Sequence, residues 1–340
     1  MRAAVLRAPG APLTLEELPL PIPGAGEVRL KVLACGFCHT DLHYLDHGVA
    51  TAKPPPIVLG HEISGEVEAL GPGVQGVNVG DRVLVPAVLP CGLCEYCRTG
   101  RENICPAMRM PGNHLDGGFA EFVVVPAKDL VPLPGAIDPH LGCVIADALT
   151  TPYHAVVRRA RVRAGERVAV IGCGGVGINL VQFASVAGAH VLAVDLNEQK
   201  LEVARQLGAE ATLNPKEAPE LAKAIRRTWG DAADVAFEAV GTPATIALGF
   251  DALRRGGRLC LVGYSRGPAE LPARKVMFLE YTVIGSLGCR PADYGRVVEL
   301  VRTGRVRIEP VVTGRLPLER IGEAADRLRQ GDGFRTIVVP

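Results

Sequence analysis

Arg167-Val-Ala-Val-Ile171-Gly172-Cys-Gly174-Gly175-Val176-Gly177, followed after a helix-like run by Val191-Leu-Ala-Val194-Asp195, is the stretch on which the fold turns. A short β-branched run, a cluster of glycines and an apolar helical run spell strand, tight turn and helix. Gly172, Gly174 and Gly177 stand in the pattern Gly-x-Gly-x-x-Gly, and an acid, Asp195, lies 18 residues beyond the last of them. Glycine permits the turn and lets backbone approach a pyrophosphate, whose charge meets the helix N-terminus. A carboxylate at the tip of the next strand accepts hydrogen bonds from ribose hydroxyls and repels a 2′-phosphate. The spacing therefore predicts a dinucleotide site at Gly172–Gly177 that favours NAD over NADP.

Around this stretch, Val168–Val194 runs 27 residues without Asp, Glu, Lys or Arg. That exceeds the roughly 18 that suggest a membrane span. Five glycines (172, 174, 175, 177, 188) break it, which is how a buried β-α-β unit reads. Further strands are expected at Ala211–Leu213, Val235–Glu238, Arg258–Val262 and Thr282–Gly285, with helices at Ile178–Ala187, Glu198–Leu207, Pro219–Trp229 and Ala244–Leu253. This alternation is a doubly wound α/β domain with a parallel sheet, placed at 149–288. Residues 1–148 carry short β-like runs (Arg29–Ala34, Ile63–Leu70, Asp81–Val85, Ala120–Val125) separated by Pro and Gly, the pattern of an irregular, mainly β unit. A helix near Pro291–Thr303 and a final apolar run, Thr336–Val339, are expected to return to it, making the first domain discontinuous (1–148 and 289–340). The basic run Arg158–Arg167 reads as a solvated helix end and turn.

The chain has 340 residues, 48% hydrophobic and 21% charged, with a formal net charge of +1. The length suits two domains, and the balanced charge argues against nucleic acid, an anionic membrane or an acidic polymer as partner. Its first residues show no signal-peptide pattern before Pro9 and Gly10, so a cytoplasmic location is expected.

Ten cysteines are too few for a disulfide scaffold at this length. Four of them, Cys91, Cys94, Cys97 and Cys105, fall within fifteen residues. Two-residue gaps turn successive thiolates onto one ion and the longer gap brings the fourth from across the loop, a closed tetrahedral cage suited to a structural Zn²⁺. A second constellation is split along the chain: Cys38-His39-Thr40-Asp41-Leu42-His43 and Gly60-His61-Glu62. Cys and His are ligands of catalytic zinc, where three protein groups leave one position open.

These signals, in this order and over essentially the whole chain, resemble the zinc-dependent alcohol dehydrogenases of the medium-chain dehydrogenase/reductase family. The resemblance implies a Rossmann domain beside a GroES-like catalytic domain, two zinc ions per chain, NAD, an alcohol or carbonyl substrate, and a homodimer or homotetramer. It makes Cys38 and His61 ligands of the catalytic zinc, with Glu62 as an alternative ligand and Asp41 holding the His61 ring. Thr40 and His43 resemble a proton relay. Thr151 and Val176 match positions against the nicotinamide, and His39, Lys200 and Arg335 match cofactor-binding positions, the last two at the adenosine ribose and the pyrophosphate. The family usually has a cysteine as third ligand; here the spacing to Thr151 puts Asp147 in that place rather than Cys143, and oxygen is an acceptable zinc ligand. Ethanol-specialised members carry two tryptophans where this chain has Val49 and Ala87, which implies a pocket for larger alcohols unless Tyr44 or Leu115 refills it. A zinc-independent quinone or enoyl reductase would have no use for these ligands. A non-enzymatic zinc- or redox-responsive binding protein would not turn over NAD.

Overall fold

The computed structural model describes residues 1–217 and 220–340. The chain divides into two compact units, Met1–Thr150 with Gly288–Pro340, and Thr151–Leu287.

In the second unit six parallel strands form one sheet: β1 (Arg167–Ile171), β2 (His190–Val194), β3 (Ala211–Leu213), β4 (Ala233–Glu238), β5 (Leu253–Leu261) and β6 (Thr282–Gly285). Their order is β3-β2-β1-β4-β5-β6. The order reverses beside β1, so a topological switch point lies at its C-terminal end, where the Gly172 turn begins. β4 is buried along its whole length and β1 nearly so, which explains why both read as continuous apolar runs. Helices Gly177–Val186, Glu198–Gln206, Leu221–Trp229 and Pro243–Asp251 alternate with the strands. The expected start of the third helix, Pro219, lies outside the described residues.

Two apolar clusters hold these layers together. One joins Ile171, Leu192 and Val194 to Leu221 and Ile225; the other joins Ala236 and Leu259 to Ile246 and Phe250. Burying each large side chain contributes about 1.5–3 kcal/mol. The basic run divides as a helix end and turn should: the helix His154–Arg159 is wound as a π-helix, Arg161 sits exposed at φ +52°, and Arg167 opens β1 paired with Asp231 and Asp234. No helix among the described residues is long and apolar enough to cross a membrane.

In the first unit the long strand Glu27–Phe37 is the spine. It alternates inward Val28, Leu30 and Val32 with outward residues, and it pairs antiparallel with Glu62–Leu70, Phe122–Pro126 and the C-terminal Arg335–Val339. Strands Arg82–Val85 and Val131–Pro132 extend one side and Val312–Pro317 the other. A three-stranded sheet, Leu13–Glu17, Arg2–Leu6 and Ile57–Val58, completes the unit. Its core includes Leu30, Ile63 and Val85, with Phe37 stacked on Phe119 at 5.3 Å. Strand register places the site. Gly36 opposes Glu62, so Cys38, just past one strand, and His61, just before its neighbour, emerge at the same end of the sheet.

Candidate active site and metal centres

Cys38 caps the helix His39–Asp46, and the helix holds Cys38 in turn: the Cys38 N–H donates to Asp41 Oδ2 at 2.9 Å. Asp41 Oδ1 faces His61 Nδ1 at 3.8 Å, while His61 Nε2 faces Asp147 Oδ2 at 3.6 Å. Asp147 follows the short helix Cys143–Ala146. One ligand atom from each of Cys38, His61, Glu62 and Asp147 lies within 4.8 Å of the others. Cys143 is fully buried and outside this group; burial, then the Glu62 charge, pushes its thiol well up.

The electrostatics of this pocket are unbalanced. Burial opposes a charged His61, but Asp147, Asp41 and Cys38 outweigh it and hold the imidazolium form well above the usual range. Burial likewise pushes the Glu62 carboxyl up to about 7 against the pull of Arg335. His61 Nδ1, Asp41 Oδ1 and both Glu62 oxygens are buried without a hydrogen-bond partner. Orphaned groups of this kind are costly. A thiol, an imidazole and two carboxylates so placed fit a borderline cation such as Zn²⁺.

Thr40 and His43 lie one turn apart on the same helix, Thr40 Oγ1 at 3.8 Å from Cys38 Sγ and the half-buried His43 ring 5.6 Å from that of His47. His39 is exposed. Val49 and Leu115 are half-buried against the core of this unit, and Tyr44 and Ala87 are buried.

Arg335 makes its contacts within its own unit. Its side chain is 1% exposed and turned inward: Nη1 donates to the Phe37 carbonyl at 2.9 Å, and Nη2 stands 3.1 Å from Glu62 Oε1, an ion pair without hydrogen-bond geometry. The reason is its position at the start of a strand that pairs beside Phe37, where a buried cation needs a buried anion.

The four-cysteine lobe is a separate centre. Sulfur separations are 3.4 Å for Cys94–Cys97, 3.5 Å for Cys91–Cys105, 3.7 Å for Cys94–Cys105 and 3.8 Å for Cys91–Cys97. A tetrahedron with metal–sulfur bonds of about 2.3 Å has edges of about 3.8 Å, so the four thiols fit one zinc. N–H groups of Leu93 and Cys94 donate to Cys91 Sγ and hold its thiol down at about 6, which favours thiolate. The lobe has little apolar core, with Leu93 82% exposed.

In the second unit the glycine loop is built for close approach. Gly172 has φ +87°, open to glycine alone at low cost, and a Cβ on Gly177 would run into the Gly172 carbonyl. A Cβ on Gly174 would meet nothing within 4 Å, so the turn is open at that point. Gly175 is buried and Val176 half-buried in the same turn, and Thr151 is buried at the start of the unit. Asp195 joins the loop to β2: Oδ2 accepts from Cys173 N–H at 2.7 Å and Oδ1 from Asn197 N–H at 2.9 Å. Lys200 stands half-buried in the first turn of Glu198–Gln206.

Glu238 is a buried group that the sequence motifs do not single out. Its Oε1 accepts from the N–H groups of Val240 and Gly241 and from Thr245 Oγ1, each at 2.8 Å. Val240 abuts Gly172, so Glu238 fixes the wall on which the glycine turn rests. An acid ending an apolar strand just before Gly241-Thr242 is the one signal of it in the sequence.

Known proteins share both halves of this arrangement. Residues 24–135 match the family described as alcohol dehydrogenase GroES-like domain, and residues 175–303 that described as zinc-binding dehydrogenase. An alcohol dehydrogenase of Geobacillus stearothermophilus is 35% identical over 333 residues, 97% of each chain. The chain belongs to the alcohol dehydrogenases of the medium-chain dehydrogenase/reductase family. Its GroES-like and Rossmann-type parts are those of an oxidoreductase of that family. An L-threonine 3-dehydrogenase of Bacillus velezensis is 33% identical, covering 100% of this chain and 99% of its own. A crystal structure of an NAD-dependent alcohol dehydrogenase superposes over the full length of both chains with a TM-score of 0.93 at 34% identity.

Proposed function

We propose that this enzyme transfers hydride reversibly between an alcohol and NAD, with one zinc held by Cys38, His61 and Asp147, Glu62 within reach, and a second held by Cys91, Cys94, Cys97 and Cys105. The observation that carries the reading is the gathering of thiol, imidazole and two carboxylates in one buried group with orphaned polar atoms. Zinc bound there supplies Lewis acidity that lowers the pKa of a hydroxyl, and NAD supplies the hydride acceptor.

The chain's own residues do the rest. Asp41, tied by the Cys38 N–H, keeps the His61 ring turned with Nε2 towards Asp147. Thr40 Oγ1 takes the proton leaving the alcohol as it gives up its own to the relay, and His43 hands a proton on to solvent. The N–H groups of the Gly172–Gly177 loop bind pyrophosphate, Asp195 and Lys200 hold the adenosine ribose, His39 offers an exposed imidazole to the cofactor, and Thr151 and Val176 support the nicotinamide. The four-thiolate site leaves no open position, so its role is to hold the lobe.

The substrate we assign is a medium-chain, secondary, cyclic or aromatic alcohol, because Val49 and Ala87 are small. The likeness to L-threonine 3-dehydrogenases supports a second reading, a polar amino alcohol. A homo-oligomer is supported by β6, an open sheet edge where Val283 is 40% exposed, with Leu287 just past the strand and Met277 and Phe278 just before it also exposed.

The test is a panel of ethanol, benzyl alcohol, cyclohexanol and L-threonine with NAD and NADP, on protein of measured zinc content. Benzyl alcohol and cyclohexanol should exceed ethanol in kcat/KM. Ethanol as best substrate refutes the open pocket, and L-threonine as best substrate favours the second reading.

A further inference from the structure

The helix Pro291–Arg302 turns Asp293, Tyr294, Val297 and Val298 inward, the spacing of one helical face. Among these Tyr294 is the largest, 1% exposed, and its hydroxyl engages two backbone groups. It donates to the Ala146 carbonyl at 2.6 Å and accepts from the Ala87 N–H at 3.2 Å. Burial pushes its phenol well above the ordinary range, so it stays a donor. Thr150 Oγ1 donates to the same Ala146 carbonyl at 3.1 Å, so both lone pairs of that oxygen are used.

The two backbone groups held by Tyr294 are not arbitrary. Ala146 is the last residue of the short helix before Asp147, and its carbonyl belongs to the peptide that leads into Asp147. Ala87 follows the strand Arg82–Val85, whose Val85 lies opposite Ile63, two residues after His61. One hydroxyl therefore ties the segment carrying the carboxylate to the strand end beside the imidazole.

We infer that Tyr294 is a positioning residue for the metal centre: its hydroxyl fixes the Ala146–Asp147 peptide against the Ala87 backbone, so that Asp147 stays aimed at the ion shared with His61. The inference rests on the reading of Asp147 as a zinc ligand. Tyr294→Phe keeps the ring and its packing and removes only the oxygen. It leaves the Ala87 N–H buried without its acceptor and the Ala146 carbonyl held by the Thr150 hydroxyl alone of the two side-chain donors.

Zinc release from the holoenzyme to a chromogenic chelator tests this, because two ions leave in two phases and Asp147→Ala identifies the phase that depends on the carboxylate. Tyr294→Phe is expected to accelerate the Asp147-dependent phase about tenfold, the low end for loss of a group that orients a ligand, and to leave the four-cysteine phase unchanged. Thr150→Val, which removes the other donor to the same carbonyl, is expected to accelerate the same phase and serves if Tyr294→Phe does not fold. Equal acceleration of both phases marks a general loss of stability and overturns the inference, as does no change in either. If Asp147→Ala leaves both phases intact, the ligand assignment itself falls, and this inference with it.

Discussion

At the scale of single residues, two carboxylates would set the choice of coenzyme and the metal site in the proposed reaction. Asp195 holds the glycine loop through Cys173 N–H, and the same carboxylate would meet any 2′-phosphate on the ribose. Like charges forced together cost several kcal/mol, so NAD should exceed NADP in kcat/KM on the order of a hundredfold. Asp195→Ser should narrow that ratio, and equal use of the two coenzymes by the unaltered enzyme would contradict it. Asp147 makes the second case. Metal analysis of Asp147→Ala should show one zinc lost and the four-cysteine zinc kept, whereas Asp147→Cys should retain metal because thiolate is a good donor. Cys143→Ala should change nothing at the site, since that thiol lies outside the gathered ligands; loss of zinc there would reverse the assignment.

At the scale of elements, one acid ties the strand starts of the second unit together. Asp234, in β4, accepts from Arg167 N–H in β1 at 2.8 Å and pairs with Arg254 in β5. Burial works against its ionisation, yet the Arg167 N–H and the Arg254 guanidinium outweigh it and hold the carboxyl below its ordinary 3.8. A depressed folded-state pKa gives stability that is present above the unfolded value and disappears as pH falls through the folded one. Asp234→Asn should therefore be less stable than the unaltered protein at pH 7, with the gap in urea midpoint closing below about pH 4. A gap that persists at pH 2 would show that packing, not charge, is lost.

The elements also show what a sequence can reveal. Strands β1, β2, β3 and β6, the glycine turn and the helices between them are legible because apolar runs and glycine chemistry act locally. Arg2–Leu6, Leu13–Glu17 and Val312–Pro317 are not: the last contains Gly and Pro, and its partner Arg335–Val339 lies about twenty residues on. The gathering of Cys38 with His61 follows from motif and strand register. The Arg335–Glu62 pair is not legible, because the two residues lie 273 positions apart in sequence and only pairing beside Phe37 brings them together. Glu238 and Tyr294 stay hidden for a related reason: their partners are mostly backbone groups, which a motif does not display.

At the scale of the whole molecule, the two units carry the two features on which the proposed reaction depends: a glycine turn at the switch point of a parallel sheet in one, and a buried ligand group at the end of a mixed sheet in the other. A metal held by the four-cysteine lobe would contribute to folding, since little apolar core supports the lobe. The central claim is that two ions with unequal roles serve one reaction, and zinc content measured beside NAD reduction tests it most directly. Active protein should carry two zinc ions per chain. His61→Ala should keep one, stay folded by circular dichroism and lose turnover, while Cys94→Ser should lose the other and melt at lower temperature. Fully active protein carrying a single zinc ion, or none, would contradict it.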